Sequence, residues 1–133
     1  MDYKSELNEL ILTLVKEQGS DLHLIVGTAP TIRINSDLVT LLHKEPLKSE
    51  DTVGFLRCMV PERMFNDFII KQELDFSFEH LGEYRMRGNA YFEKGLVCIA
   101  LRLVPKPRNF GELHLPPILA EIAHAKQGLF LVV

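Results

Sequence analysis

Arg85, Arg87 and Arg102 are the residues in this 133-residue sequence whose type and spacing most readily suggest chemistry. In Tyr84–Phe92 the positions alternate. Tyr84, Met86, Gly88, Ala90 and Phe92 fall on one side, and Arg85, Arg87, Asn89 and Tyr91 on the other, which is the period of a strand with two different faces. In Leu96–Leu103 the apolar face is Val97, Ile99, Leu101 and Leu103, so Arg102 projects from the opposite side. Guanidinium groups gathered on one sheet face can clamp a phosphate through paired N–H donors. The competing reading is that Asp75 and Glu79, on the polar face of an adjoining strand, simply neutralise them. Asp21 and His23 also share a face, alternating with Leu22 and Leu24. Such a pair could do acid–base work, but no nucleophile accompanies it and the spacing is not that of a triad, so a structural or interface role is expected. His23, His43, His80, His114 and His124 lack metal-ligand spacing. Phe65, Phe68, Phe76 and Phe78 read as core rather than as a stacking platform for bases. Asp75 and Glu79 read as a solvated or salt-bridged face rather than a catalytic carboxylate pair.

The elements that must position these residues can be read from periodicity. Leu7, Leu10, Ile11, Leu14 and Val15 predict an amphipathic helix over Tyr3–Gln18, with Gly19 as the left-handed residue that ends it. A short strand follows in Asp21–Val26, then a turn at Gly27-Thr28-Ala29-Pro30. Thr31–Asn35 and Leu38–Leu42 read as strands joined at Asn35-Ser36-Asp37. A helix capped by Ser49 is expected, with Glu50 and Asp51 at the positive end of its dipole. A second begins at Pro61 and turns Met64, Phe65, Phe68 and Ile69 to one side. Leu74–Leu103 reads as an antiparallel meander with turns at Gly82 and Gly95.

Composition bounds the class. Hydrophobic residues are 47%, charged residues 25% and the formal net charge is −3. These values suit a globular domain and give no overall basic excess for nucleic acid. Cys58 and Cys98 have no CxxC spacing and are expected to be reduced thiols. The acidic, amphipathic N-terminus is unlike a signal peptide, and no apolar run approaches the roughly 20 residues of a membrane span. Val104–Pro117 carries Pro105, Pro107, Pro116 and Pro117 with Asn109 and Gly111 between them. It reads as a linker, with Asn109 and Gly111 as its flexible points. A short helix is expected over Pro117–Lys126. Gly128–Val133 is an uninterrupted apolar strand of the kind buried in parallel sheets, which suggests that a second domain begins there.

Four ordered segments carry a resemblance. They are Ser20-Asp21-Leu22-His23-Leu24 with Gly27, Pro30, Ile32 and Arg33; Leu74–Phe78 with Arg85-Met86-Arg87-Gly88-Asn89; Ala100–Pro105; and Leu115-Pro116 with Leu119 and Gly128–Val132. Together the sequence resembles the N-terminal part of PilT-type retraction ATPases of type IV pili, within the hexameric secretion and twitching-motility ATPases, over nearly its whole length. Where the family often has Asp-Gly after the Ile-Arg strand, this sequence has Asn35-Ser36.

The resemblance implies an α+β fold. Residues 1–104 would form a PAS-like domain with an antiparallel sheet flanked by helices. Residues 105–114 would be the linker, and 115–133 the first helix and strand of a RecA-like motor domain. It implies a cytoplasmic hexamer at the inner face of the inner membrane, working with a membrane platform protein, using ATP and Mg²⁺ to power pilus retraction. It implies no nucleic-acid partner and no direct membrane insertion. Arginines matching Arg87 and Arg102, with Arg85 beside them, would approach nucleotide phosphates as domains close about Pro105, Pro107, Asn109 and Gly111. The sequence contains no Gly-x4-Gly-Lys-Ser/Thr loop, so no catalytic residue, ATPase activity or cofactor is expected of this chain alone. A pilus-assembly or type II secretion ATPase and a free-standing PAS-like binding module are the alternatives.

Overall fold

In the computed structural model, which describes residues 2–132, the Asp2 carboxylate accepts from the amides of Lys4 and Ser5 at 3.2 Å and caps α1 (Tyr3–Lys16). Leu7, Leu10, Ile11 and Leu14 lie buried along its inner stripe. The expected left-handed residue is Gln18 (φ 54°), not Gly19. Gly19 is small for another reason: a Cβ there would sit 2.6 Å from Leu14 Cδ1 and 2.9 Å from the Arg33 carbonyl oxygen.

Three short strands follow, β1 (Asp21–Leu24), β2 (Thr31–Ile34) and β3 (Asp37–Thr40). Val26, expected within the first strand, instead makes an isolated bridge to Leu47. The β2–β3 turn puts Asn35 and Ser36 at φ 47° and 79°. This is the double left-handed geometry that twisted two-residue hairpins favour, and here neither residue is glycine. In α2 (Ser49–Met59) the cap is Lys48, and Ser49 is already helical. Asp51 folds back to accept the Lys48 amide at 2.8 Å, satisfying the donor of the cap residue itself. Pro61 is the N-cap of α3 (Glu62–Lys71) rather than its first residue. Phe65 and Phe68 are buried there, but Ile69 is 48% exposed, because α3 meets the sheet over a narrower stripe than the sequence suggested.

The meander is β4 (Glu73–His80), β5 (Tyr84–Glu93) and β6 (Leu96–Val104). All six strands form one antiparallel sheet in the order β3-β2-β1-β6-β5-β4. The α+β class is as expected. Leu22, Leu24, Ile32, Met86, Ala90, Val97, Ile99 and Leu101 join the inner faces of the helices in one core. Phe68 stacks on Phe92 at 5.0 Å between ring centroids. Phe65, Phe68 and Phe76 are buried, with Phe78 half-buried against them. Cys98 is buried and Cys58 exposed, and both are free thiols.

The sheet ends at Val104. Pro105–Asn109 has no regular structure, and α4 (Ile118–Ala123) is shorter than expected and buries no residue. The expected strand over Gly128–Val133 is not formed in residues 128–132: Leu129 and Val132 are each 85% exposed. A strand of that composition needs partners on both edges and both faces, and the sheet here offers it none. Val133 lies outside the described residues. No helix among them is long and apolar enough to cross a membrane.

Candidate anion-binding site

The helices pack on the apolar side of the sheet, so its other side presents the polar half of each alternating strand. Register then sorts those polar residues into rows. One row runs Ser77, Arg87, Arg102, Asp21, Arg33 across β4, β5, β6, β1 and β2. The next runs Asp75, Asn89, Ala100, His23, Thr31 and Thr40. Arg87 therefore stands directly opposite Arg102. Like charges in that position repel and destabilise a sheet. A groove of about 310 Å³ opens beside them, lined by Asp21, Asp75, Arg87, Asn89 and Arg102 and the backbone between. Arg85 lies one row away, opposite Glu79 and Val104, and does not line this groove.

The charges are not neutralised by the acids that the sequence pattern offered. Among the described residues neither Asp75 nor Glu79 forms an ion pair with Arg85 or Arg87. Asp75 instead accepts from Asn89 Nδ2 at 3.0 Å, directly across the ladder. The carboxylate that does act is Asp21, on the strand inserted between β2 and β6. Its Oδ1 accepts from Arg102 Nε at 2.8 Å. Its Oδ2 accepts from Ser20 Oγ at 2.7 Å and lies 3.4 Å from Arg33 Nε. Arg33 donates in turn from Nη1 to the Ser36 carbonyl at 2.9 Å. Burial alone would raise the Asp21 pKa, but hydrogen bonds from Arg102 and Ser20 outweigh it and hold the carboxyl below its ordinary value. The Arg102 side chain is 71% exposed. Its Nη1 and Nη2 have no hydrogen-bond partner among the described residues, nor has the Arg87 guanidinium. The site thus consists of two guanidinium ends facing a groove, one of them anchored from behind. Strand alternation places Asp21 on the polar face, but only strand order reveals that it faces Arg102.

His23 does not pair with Asp21 as an acid–base couple. It sits in the other row, and its buried Nε2 has no hydrogen-bond partner among the described residues. Burial holds its pKa below the usual 6.5, and nearby Arg33 and Arg102 lower it further against the pull of Asp21. Burial lowers His80 as well. A depressed folded pKa means that the unfolded chain takes up protons first as pH falls. Stability from these two histidines is therefore complete above about pH 6.5 and declines below it, through the unfolded value toward the lower folded ones. Chemical denaturation between pH 7.5 and 5 is expected to show this slope. His23→Leu is expected to flatten it, leaving the share due to His80, and an unchanged slope would contradict the neutral, buried state of His23.

Of the hinge residues, Asn109 is engaged in a reciprocal cap. Its amide donates to Glu112 Oε2 and its Oδ1 accepts from the Glu112 amide, both at 2.9 Å. Gly111 has no positive φ. Between Val104 and Pro117, the described backbone without local hydrogen bonds is Pro105, Lys106, Pro107 and Arg108, where the exposed Lys106 Nζ lies 3.6 Å from Glu83 Oε1, so the cap at Asn109 marks the end of the unpinned backbone.

No protein-family model matches the chain. The type IV pilus ATPase PilU of Pseudomonas aeruginosa is 30% identical over 129 residues, which is 96% of this chain and 34% of that protein. The type IV pilus retractation ATPase PilT of the same organism is 30% identical over 128 residues, 96% of this chain and 37% of that protein. The crystal structure of the pilus retraction motor PilT with bound ADP superposes with a TM-score of 0.80 at 31% identity, covering 91% of this chain and 36% of that one. The Legionella pneumophila ATPase DotB shares the fold, with a TM-score of 0.70 at 17% identity. The resemblance read from the four sequence segments thus holds over the length of the chain: its relatives are PilT- and PilU-type pilus ATPases, and its fold matches the N-terminal region of PilT. The chain spans about a third of the length of the curated relatives it matches.

Proposed function

We propose that this chain is the N-terminal regulatory and oligomerisation part of a hexameric ATPase that powers type IV pilus retraction. In this reading residues 1–104 are a PAS-like domain, 105–114 the linker, and 115–133 the start of a RecA-like motor domain in which the apolar residues 128–132 find the neighbours they lack here. ATP and Mg²⁺ would be held by the motor domain, and no residue of this chain is assigned to the metal. The assembly would work in the cytoplasm at the inner face of the inner membrane, through the pilus platform protein. Similarity to PilU and PilT supports the family-level part of this reading.

The observation that carries the chemistry is the Arg87–Arg102 pair. Two like charges opposed across a ladder cost stability unless an anion lies between them, and their free guanidinium ends suit phosphoryl oxygens. The same geometry would stabilise negative charge that grows during phosphoryl transfer. Closure of the sheet onto a nucleotide held by a neighbouring domain would bring them into contact, with the unpinned Pro105–Arg108 stretch allowing the movement. Arg85, opposite Glu79, would be peripheral.

The test is to express the complete gene product and measure its size and nucleotide hydrolysis. A hexamer that hydrolyses ATP, and whose disruption in the parent bacterium abolishes twitching, is the expected result. A gene product that hydrolyses no nucleotide would leave a PAS-like binding module. ATPase activity in cells that keep retraction but lose pilus assembly would move the protein to the assembly class.

A further inference from the structure

We infer that Asp21 is a positioning residue that fixes the guanidinium plane of Arg102 so that only its two terminal nitrogens face the groove; this rests on the reading of Arg102 as a phosphate contact. Three features of the hydrogen bonding support the assignment.

The first is which nitrogen is held. Asp21 takes the Arg102 Nε–H at 2.8 Å, not the terminal fork. An arginine bonded through its fork is occupied as a donor. One bonded through Nε keeps both terminal groups, and the plane in which they lie is set from behind. The second is that Asp21 is itself fixed. It is only 7% exposed, and both of its oxygens are engaged. Ser20 Oγ and Arg33 occupy the oxygen that Arg102 does not use. Arg33 is tied to the β2–β3 turn through the Ser36 carbonyl. Rotation of the carboxylate would break contacts on either side, so the anchor is rigid while the Arg102 side chain remains exposed. The third is the asymmetry of the pair. Arg87 has no such anchor among the described residues, and its ladder partner on β4 is Ser77. One arginine is preorganised and its neighbour is free to adapt. Preorganised donors contribute to a transition state without reorganising when charge develops. An anchor lost in this way should lower turnover while leaving ground-state nucleotide binding nearly intact.

The experiment is a double-mutant cycle on the complete, nucleotide-hydrolysing gene product, with kcat and KM for ATP measured for wild type, Asp21→Asn, Arg102→Ala and the double variant. Asparagine keeps the volume and one acceptor but sets an NH₂ against the remaining donors. The expected result is a kcat about tenfold lower for Asp21→Asn with KM within about twofold, and a double variant no slower than Arg102→Ala alone. If Asp21→Asn does not fold, Ser20→Ala replaces it, with about a threefold loss of kcat expected from a loosened carboxylate. On the 133-residue chain, side-chain NMR should show the Arg102 Nε–H protected from exchange in wild type and unprotected in Asp21→Asn or, more weakly, in Ser20→Ala. Arg102→Ala with normal turnover would overturn both the phosphate reading and the role of Asp21. A slow Arg102→Ala with wild-type kcat in Asp21→Asn, or losses that multiply in the double variant, would overturn the positioning role alone.

Discussion

Arg87→Ala is expected to slow ATP turnover of the complete protein by about two to three orders of magnitude while making the chain slightly more stable. The two effects have opposite signs because they come from different states. In the isolated chain, Arg87 faces Arg102 across the β5–β6 ladder with no ion-pair partner of its own among the described residues. Removing it relieves a like-charge pair, worth about 0.2–1 kcal/mol in a sheet. In a closed, nucleotide-bound state the same guanidinium would meet developing phosphoryl charge, where arginines of this kind contribute roughly 10³–10⁵ in kcat. The expected loss falls at or below the lower end of that range because Arg102 remains in place. An interaction made only in the transition state lowers kcat and kcat/KM together, so KM for ATP should hold steady. Arg87→Lys should recover little, because an ammonium lacks the planar fork. The checks are thermal unfolding of the 133-residue chain and steady-state hydrolysis by the complete protein. A destabilised Arg87→Ala with normal turnover would mean that the arginine merely supports the sheet.

Much of this site is legible in the sequence itself. Period-two alternation in Tyr84–Phe92 and Leu96–Leu103 is enough to place Arg85, Arg87 and Arg102 on the polar face, because a strand's faces follow from chain geometry alone. The same holds for the helical stripe of α1 and the aromatic core. What alternation cannot carry is which strands lie side by side. Asp21 reaches Arg102 across 81 positions of sequence, because β1 is inserted between β2 and β6. The nearer acids, Asp75 and Glu79, are the natural partners on local grounds, yet among the described residues neither pairs with the arginines. Close approach is equally silent in the sequence. Gly54 lies inside α2, where glycine is a poor helix former. A Cβ there would come within 2.4–2.7 Å of the Tyr3 ring, so the glycine is what lets α1 and α2 meet. The terminal apolar segment marks another limit, since residues 128–132 form no strand here. Its composition fits a buried strand, but composition cannot supply the neighbouring strands that would make it one.

Gly88→Val is expected to destabilise the chain by about 3 kcal/mol, and the reason bears on the site directly. Gly88 sits between Arg87 and Asn89 and faces the core, in register with Phe76 on β4 and Leu101 on β6. The Phe76 ring lies across it: a Cβ at position 88 would come within 2.3 Å of Phe76 Cζ and 2.6 Å of Cε2. Phe76 is buried and stacks on Phe78 at 6.2 Å, so its ring cannot simply swing aside. Overpacking of this kind costs about 1–3 kcal/mol, and expelling part of the phenyl ring from the core adds about 1–2 kcal/mol more. Against that, a strand interior recovers about 0.5–1 kcal/mol when glycine is replaced, from the reduced freedom of the unfolded chain. The cost outweighs the gain, and for a domain of this size the net corresponds to a drop in Tm of about 10 °C. Phe76→Leu should be mildly destabilising alone, yet the double variant should recover part of the Gly88→Val loss, a coupling that reports direct contact. The β5 backbone that must move to admit the side chain is the one carrying Arg87, so turnover of the complete protein should fall even at temperatures where the variant is folded. A Gly88→Val chain that melts with wild type would mean that β4 and β5 are not paired in this register. Ser77 would then no longer be the β4 neighbour of Arg87, while the Arg87–Arg102 opposition rests on the separate β5–β6 register.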